Sequence, residues 1–217
     1  MQDKLAKQGR FKVVNSRLDM VEDLVRVQRE SFPNIVEEEL ITAKHYRRHI
    51  ELFPEGQLAL VDEGGEVVGC SSDFITQIDF DHYEHRYIDM VDNNWFGRHD
   101  PQGEWLYGAD IGIRPKYRGL GLSKLLYQAR HKLVRQLKLK GHVAGGMLIG
   151  YGRYKENMSI EDYVAKLKRG ELFDPTVSVQ MRRGFRIKGI IYDYISDPTC
   201  DNKAALIVWY NPDMPLI

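Results

Sequence analysis

Apolar residues recur along this chain with two periods, and the switches between them predict a mixed architecture. Phe11–Asn15 (FKVVN) reads as a first strand. Asp19 and Glu22 have the spacing of a capping box. Val21, Leu24 and Val25 behind them predict a helix ending by Phe32-Pro33, because a proline disfavours helix for the residue before it. A second helix is expected from about Val36 to Phe53, closed by Pro54-Glu55-Gly56. Leu58–Val61 and Val67–Gly69 flank Glu63-Gly64-Gly65-Glu66, a hairpin pattern whose second strand is expected to continue through Ile75–Phe80. After a polar, aromatic-rich insert at 81–104, Trp105–Ile113 is the next strand and Arg118–Lys140 the longest helix. Leu122, Leu125, Leu126, Ala129, Leu133 and Leu137 repeat at helical spacing there, so one face is buried.

Val143–Ile149 follows as a strand. Ser159 then caps a short helix with Glu161 and Asp162 in its first turn, where the helix dipole favours anions. Asp174-Pro175 opens another helix that ends at Gly184. Phe185–Ile195 and Ala204–Tyr210 close the chain as an antiparallel pair. The order β-α-α-β-β-β-α-β-α-α-β-β predicts an α+β domain, with helices packed on a mixed, mostly antiparallel sheet. At 217 residues the chain is expected to be a single domain, 1–217, with the insert as its elaboration.

Composition narrows the partners. Lys plus Arg total 31 and Asp plus Glu total 31, and this zero net charge argues against nucleic acid or an anionic membrane as a bulk partner. The apolar run Ala204–Tyr210 is far short of the roughly 20 residues that cross a bilayer. The N-terminus has cations but no apolar stretch behind them, so no secretory signal is expected. Cys70 and Cys200 form no C-x-x-C, which suits a reducing cytoplasm.

Candidate chemistry concentrates in Ile111–Leu126. A strand ends at Ile113, Pro115 breaks it, and Arg118-Gly119-Leu120-Gly121 leads directly into the long helix. Glycines at a strand-to-helix turn let successive N–H groups face one point, and the helix N-terminus adds roughly half a positive charge. That is an anion site with room for a diphosphate, surrounded by Arg114, Lys116, Arg118 and Lys124. It is neither a Walker loop nor a dinucleotide fingerprint, because neither glycine pattern is complete.

The string Lys116-Tyr117-Arg118-Gly119-Leu120-Gly121, preceded by Ile113-Arg114-Pro115 and followed by Ser123, resembles the acyl-CoA signature [QR]-x-x-G-x-[GA] of the GNAT (GCN5-related) N-acetyltransferases. Lys116 departs from the usual Gln or Arg. Gly184-Phe185 matches the G-F that ends a later helix of the family, and the element order agrees over nearly the whole chain. Phe53–Leu58, Leu106-Tyr107-Gly108, Leu126–Arg130 and Phe173–Phe185 look closest to the acetyltransferase domain found fused to carbon–nitrogen hydrolase (nitrilase-like) domains. No hydrolase domain is read in this chain.

The resemblance implies acetyl transfer from acetyl-CoA to the amine of a small molecule or peptide, with no metal. It places the pyrophosphate on Arg118, Gly119, Leu120, Gly121, Leu122 and Ser123. The pantetheine arm would lie between Tyr107–Ile113 and Val143–Ile149, paired with main chain at Ile111 and Ile113. The family's thiolate-protonating Tyr falls at Gln180 and its pantetheine-contacting Asn at Phe173, so both roles are vacant or moved. Tyr151 and Tyr154 are the candidate replacements. Asp110 and Tyr107 are both candidates for the base, on opposite faces of their strand unless a bulge intervenes. His82 and His85, with His99-Asp100, have some metal-ligand spacing but lack a convincing third ligand; the insert more simply covers the acceptor end, with Trp95 and Phe96 packing or shaping it. A CoA-binding regulatory module without turnover, the partner of a separate carbon–nitrogen hydrolase, and a homodimer all stay open.

Overall fold

The computed structural model describes residues 6–215, whose eight strands form one sheet in the order β1-β2-β3-β4-β5-β6-β8-β7. The strands are β1 (Ala6–Gln8), β2 (Phe11–Asn15), β3 (Gln57–Val61), β4 (Val67–Thr76), β5 (Trp105–Ile113), β6 (Gly141–Met147), β7 (Arg186–Ile191) and β8 (Ala204–Tyr210). Every neighbouring pair is antiparallel except β5–β6. The helices are α1 (Val21–Ser31), α2 (Ala43–Leu52), α3 (Tyr87–Met90), α4 (Ser123–Gln136), α5 (Ile160–Arg169) and α6 (Val177–Met181).

β3 and β4 are buried along their whole length, the polar Ser71-Ser72-Asp73 of β4 included. Ala59, Val61 and Cys70 face α1 and α2, packing on Leu24, Val27, Ile41 and Tyr46. Leu58, Leu60 and Val68 face the other way, onto Leu122, Leu125, Leu126 and Ala129 of α4. Each such leucine contributes about 1.5–3 kcal/mol by leaving water, so Leu126→Ala would cost about 2–5 kcal/mol once the cavity is included.

Several expected boundaries move, each for a local reason. Asp19 does not cap α1; its carboxylate takes a two-pronged bond from Arg17, at 3.0 and 2.8 Å, ahead of a 3-10 turn over Leu18–Met20. The second helix begins only at Ala43, because Leu40 is extended and Thr42 forms a capping box with His45. β4 stops at Thr76. α4 starts at Ser123 rather than Arg118, because Gly119 and Gly121 adopt φ of +81° and +71°, outside the helical region. Pro175 precedes α6 instead of opening it: Asp174 Oδ1 accepts from the Thr176 and Val177 N–H groups, at 2.8 and 2.9 Å. Ser159 caps α5 as expected, accepting from Asp162 N–H at 3.1 Å.

The insert belongs to the core. Tyr87, Ile88, Val91 and Phe96 are buried, and Phe96 stacks on His49 of α2 at 3.6 Å. Trp95 is half exposed and meets His45 edge-on. Tyr87 is the insert's contribution to the cleft described below.

Candidate active site

β5 and β6 pair over only three residues, Trp105–Gly141 to Tyr107–Val143, and then part. Beyond that point no ladder joins Gly108–Ile113 to Ala144–Met147, although each strand stays paired on its other side. A cleft occupies the wedge. Its inner compartment, about 720 Å³, is bordered by Gln28, Asp110, Tyr127, Gln180 and Tyr194. Its outer compartment, about 1500 Å³, is bordered by Ile113, Arg118, Gly119, Gly121, Leu122 and Ser123. Phe32, Ile111, Tyr127, Ile149 and Thr176 line both, so the two are continuous.

The glycine turn opens toward this outer compartment. A Cβ at Gly119 or Gly121 would meet nothing within 4 Å, and among the described residues the N–H groups of residues 119–122 have no partner in the protein. Leu120 lies outside the lining, 56% exposed. The surrounding cations differ from expectation. Arg114 is buried and holds Glu30 at 2.9 and 3.0 Å while also bonding Glu66. Lys116 and Tyr117 bond the same Glu66, at 3.1 and 2.7 Å, and together these partners hold its carboxyl down at about 2. Arg118 folds back to the carbonyls of Ile113 and Ser31, at 3.0 and 2.9 Å. The lining instead gains Arg182 and Arg183 from the end of α6. Among the described residues, three buried polar atoms bordering the cleft lack any partner, namely Ser31 Oγ, Arg183 Nε and Gln180 Oε1. Open glycines, free amides and unpartnered polar atoms fit an extended, amide-bearing diphosphate ligand.

A bulge places the candidate base. Ser72 pairs with Asp110 but Asp73 pairs with Gly108, so Ala109 is extra. The bulge brings Tyr107 and Asp110 onto one face. Asp110 accepts from Tyr46 Oη at 3.3 Å and Cys70 Sγ at 3.7 Å. With the Gln28 amide nitrogen turned toward it, that nitrogen lies 3.2 and 3.1 Å from the two carboxylate oxygens. Burial raises the Asp110 carboxyl to about 6, against the pull of Arg130 and these donors. From the opposite face Arg130 donates to the Asp110 main-chain carbonyl and pairs with Asp73.

The tyrosines sort by position. Tyr107 is fully buried and does not line the cleft; its hydroxyl is 2.8 Å from His85 Nε2 and 3.1 Å from Tyr194 Oη. Tyr151 and Tyr154, the expected proton donors, also stand outside the lining. Tyr151 donates to the Met158 carbonyl at 3.1 Å, and Tyr154 packs beside Tyr163. In their place the structure offers Tyr127, whose hydroxyl accepts from Gln180 Nε2 at 3.1 Å where the two compartments join. The sequence reading missed it because Tyr127 sits on the apolar stripe of α4 and passes for core. Phe173 is exposed beneath the Arg182 guanidinium and outside the lining. His82 pairs with Asp79 at 2.9 Å, and among the described residues no group of three or more His, Cys, Asp or Glu is arranged to hold a metal.

Residues 21–144 match the family model described as Acetyltransferase (GNAT) family. Over 89% of its length the chain is 34% identical to the probable hydrolase YhcX of Bacillus subtilis (strain 168), and it spans 37% of that protein. It is 31% identical to the uncharacterized N-acetyltransferase YkwB of the same organism, across 88% of this chain and 84% of that one. Among solved structures, the GphF GNAT-like decarboxylase in complex with isobutyryl-CoA superposes with a TM-score of 0.78 at 21% identity, covering 92% of this chain and 98% of that one. The ribosomal-protein-S5-alanine acetyltransferase of Vibrio fischeri gives 0.60 at 11%, covering 97% and 98%. Those two likenesses speak to the fold; the family match, the curated relatives and the wedge between β5 and β6 together make this chain a member of the GNAT acetyltransferase family and an acyltransferase.

Proposed function

We propose that the chain moves an acetyl group from acetyl-CoA to a primary amine by direct attack on the thioester. The observation that carries this is the continuity of the cleft from the Gly119–Ser123 turn to Asp110. The turn's free N–H groups, with Arg183, hold the diphosphate. The parted edges of β5 and β6 take the amide-bearing arm near Ile111 and Ile113, as a strand would be taken. That route delivers the thioester to the compartment where Asp110 and Tyr127 both stand. Asp110 takes a proton from the attacking nitrogen; Tyr127 gives its hydroxyl proton to the departing thiolate. Asp110 and Glu39 beside Phe32, Ile35 and Ile195 favour a cationic amine with an apolar flank.

We place this activity in the cytoplasm, in keeping with two buried, free cysteines. A second reading, a domain working beside a carbon–nitrogen hydrolase, is supported by the hydrolase name of the longer relative; co-purification of such an enzyme would favour it. A homodimer is a further arrangement, read out by mass in solution. The deciding test is calorimetric titration with acetyl-CoA of the wild type beside Gly119→Glu and Gly121→Glu. Micromolar binding lost in both variants is expected. No binding by a folded wild type would sink the reading.

A further inference from the structure

Acetylation of an ammonium ion must shed two protons from nitrogen. One ends on the CoA sulfur and the other has to leave the site. Asp110 can hold a proton, but its partners Tyr46, Cys70 and Gln28 are all buried, and burial keeps Tyr46 and Cys70 protonated. An outlet starts elsewhere in the same compartment. Tyr194 lines the cleft, and its hydroxyl lies 3.1 Å from that of Tyr107. The Tyr107 hydroxyl is 2.8 Å from His85 Nε2. His85 Nδ1 is 2.7 Å from the Tyr83 carbonyl, which can only accept, so Nδ1 carries the hydrogen and Nε2 is free to take one. His85 in turn borders a second cavity, of about 720 Å³, on the insert side.

We propose that Tyr194, Tyr107 and His85 form a proton outlet from the acceptor compartment to this second cavity. This rests on the amine-acetylation reading above. A proton passes from the bound ammonium to Tyr194 Oη as Tyr194's own hydrogen moves to Tyr107, and Tyr107's to His85 Nε2. Both tyrosines stay neutral and His85 becomes imidazolium; it gives up the hydrogen just gained on Nε2 to solvent entering the second cavity, keeps the one on Nδ1, and the hydroxyls then rotate back. Around His85 stand Asp79, His82, Glu84, Asp89 and Arg98 on the cavity side, and Tyr107 and Tyr194 on the cleft side. Burial lowers the His85 pKa against the raising effect of the Tyr83 carbonyl, with Arg98 assisting and Asp89 opposing, so the ring is neutral and ready to accept at pH 7. A tight fit supports the arrangement: a Cβ on Gly145 would come within 2.2–2.6 Å of the Tyr194 ring, so the strand beside the phenol has no room for a side chain.

Two measurements decide it. Nitrogen-15 NMR of labelled protein, with His85 assigned from its absence in His85→Gln, reads the tautomer. Hydrogen on Nδ1 is expected; hydrogen on Nε2 reverses the chain and overturns the proposal. The second follows kcat/KM for a panel of benzylamine, tyramine and spermidine with acetyl-CoA, from pH 6 to 10, in wild type, Tyr107→Phe and Tyr194→Phe. With the outlet intact the profile is level from about pH 7 to the amine's own pKa. Without it only free amine reacts, so each variant loses about 10²-fold at pH 7 and recovers tenfold per pH unit. An equal loss at every pH marks mere structural damage and overturns the outlet. If no amine turns over while acetyl-CoA still binds, the acetylation reading fails, and the tautomer alone decides the direction of the chain.

Discussion

Arg130 Nε donates to Asp73 Oδ2 at 3.0 Å, and both side chains are buried behind the bulge that carries Asp110. The same guanidinium reaches the carbonyls of Ser72 and Asp110, so one residue of α4 fastens both strands at the irregular step. Removing one partner of a buried pair costs about 3–5 kcal/mol. Arg130→Met is expected to lose that much in urea unfolding. The double variant Asp73→Leu/Arg130→Met should regain most of it without regaining turnover, since the bulge carbonyls are still unheld. Recovery of both together would refute the clamp.

Cations near the glycine turn are not equivalent. Lys116 is engaged by Glu66, whereas Arg183 has a buried, unpartnered Nε on the cleft wall. Lys116→Ala should change the acetyl-CoA Kd by less than about twofold. Arg183→Ala should weaken binding about tenfold or more, the scale of one charge-assisted hydrogen bond. The reverse ranking in calorimetry would move the diphosphate away from α6.

Two groups set the chemistry in the proposed mechanism. With Asp110 held at about 6 by burial, it is a competent base only when ionised. Wild-type kcat/KM should therefore rise with pH, about tenfold per unit below 6, and level above it. Asp110→Asn should cost about 10²-fold or more. Tyr127→Phe keeps the ring and loses the hydroxyl, so kcat should fall about 10²-fold while the acetyl-CoA Kd stays the same. An unchanged kcat would leave the thiolate to solvent.

His131 stacks on Trp209 at 3.9 Å, and burial, helped by Arg130 and Arg135, lowers its pKa to about 3. The unfolded chain takes up a proton near pH 6.5 that the folded state refuses. This stabilisation is full above pH 6.5 and is lost as pH falls toward 3. His131→Phe keeps the stack and removes the proton, so at pH 4.5 it should recover on the order of 2 kcal/mol relative to neutral pH. The Tm difference between pH 7 and pH 4.5, measured for both proteins, should shrink by several degrees. An undiminished difference would count against this assignment.

Strands such as Trp105–Ile113 and Ala204–Tyr210 could be bounded from the chain alone because burial leaves long apolar runs between polar breaks. The glycine turn was equally visible, since positive φ demands Gly twice within three residues. What stayed hidden depends on partners distant in sequence. No local signal places the extra residue at Ala109, since a bulge is a relation between two strands. Tyr127 and Arg130 share a helical face with leucines. The one available hint was an arginine on that apolar stripe, which requires a buried carboxylate opposite; Asp73 supplies it. The second helix is shorter than the sequence predicts because Glu37-Glu38-Glu39 suits a helix by propensity, whereas Thr42 caps the one that forms.

The three-residue ladder between β5 and β6 has a thermodynamic consequence. A ligand lying in the wedge binds the folded chain alone, because unfolding erases the site. At a free concentration 100 times its Kd it would add about 2.7 kcal/mol to the stability of the fold. For a protein of ordinary marginal stability that is a large fraction of the total. Its heat resistance, its protease resistance and its steady-state abundance should therefore follow acyl-CoA supply, rising when the cell is well fed and falling when the pool is drained.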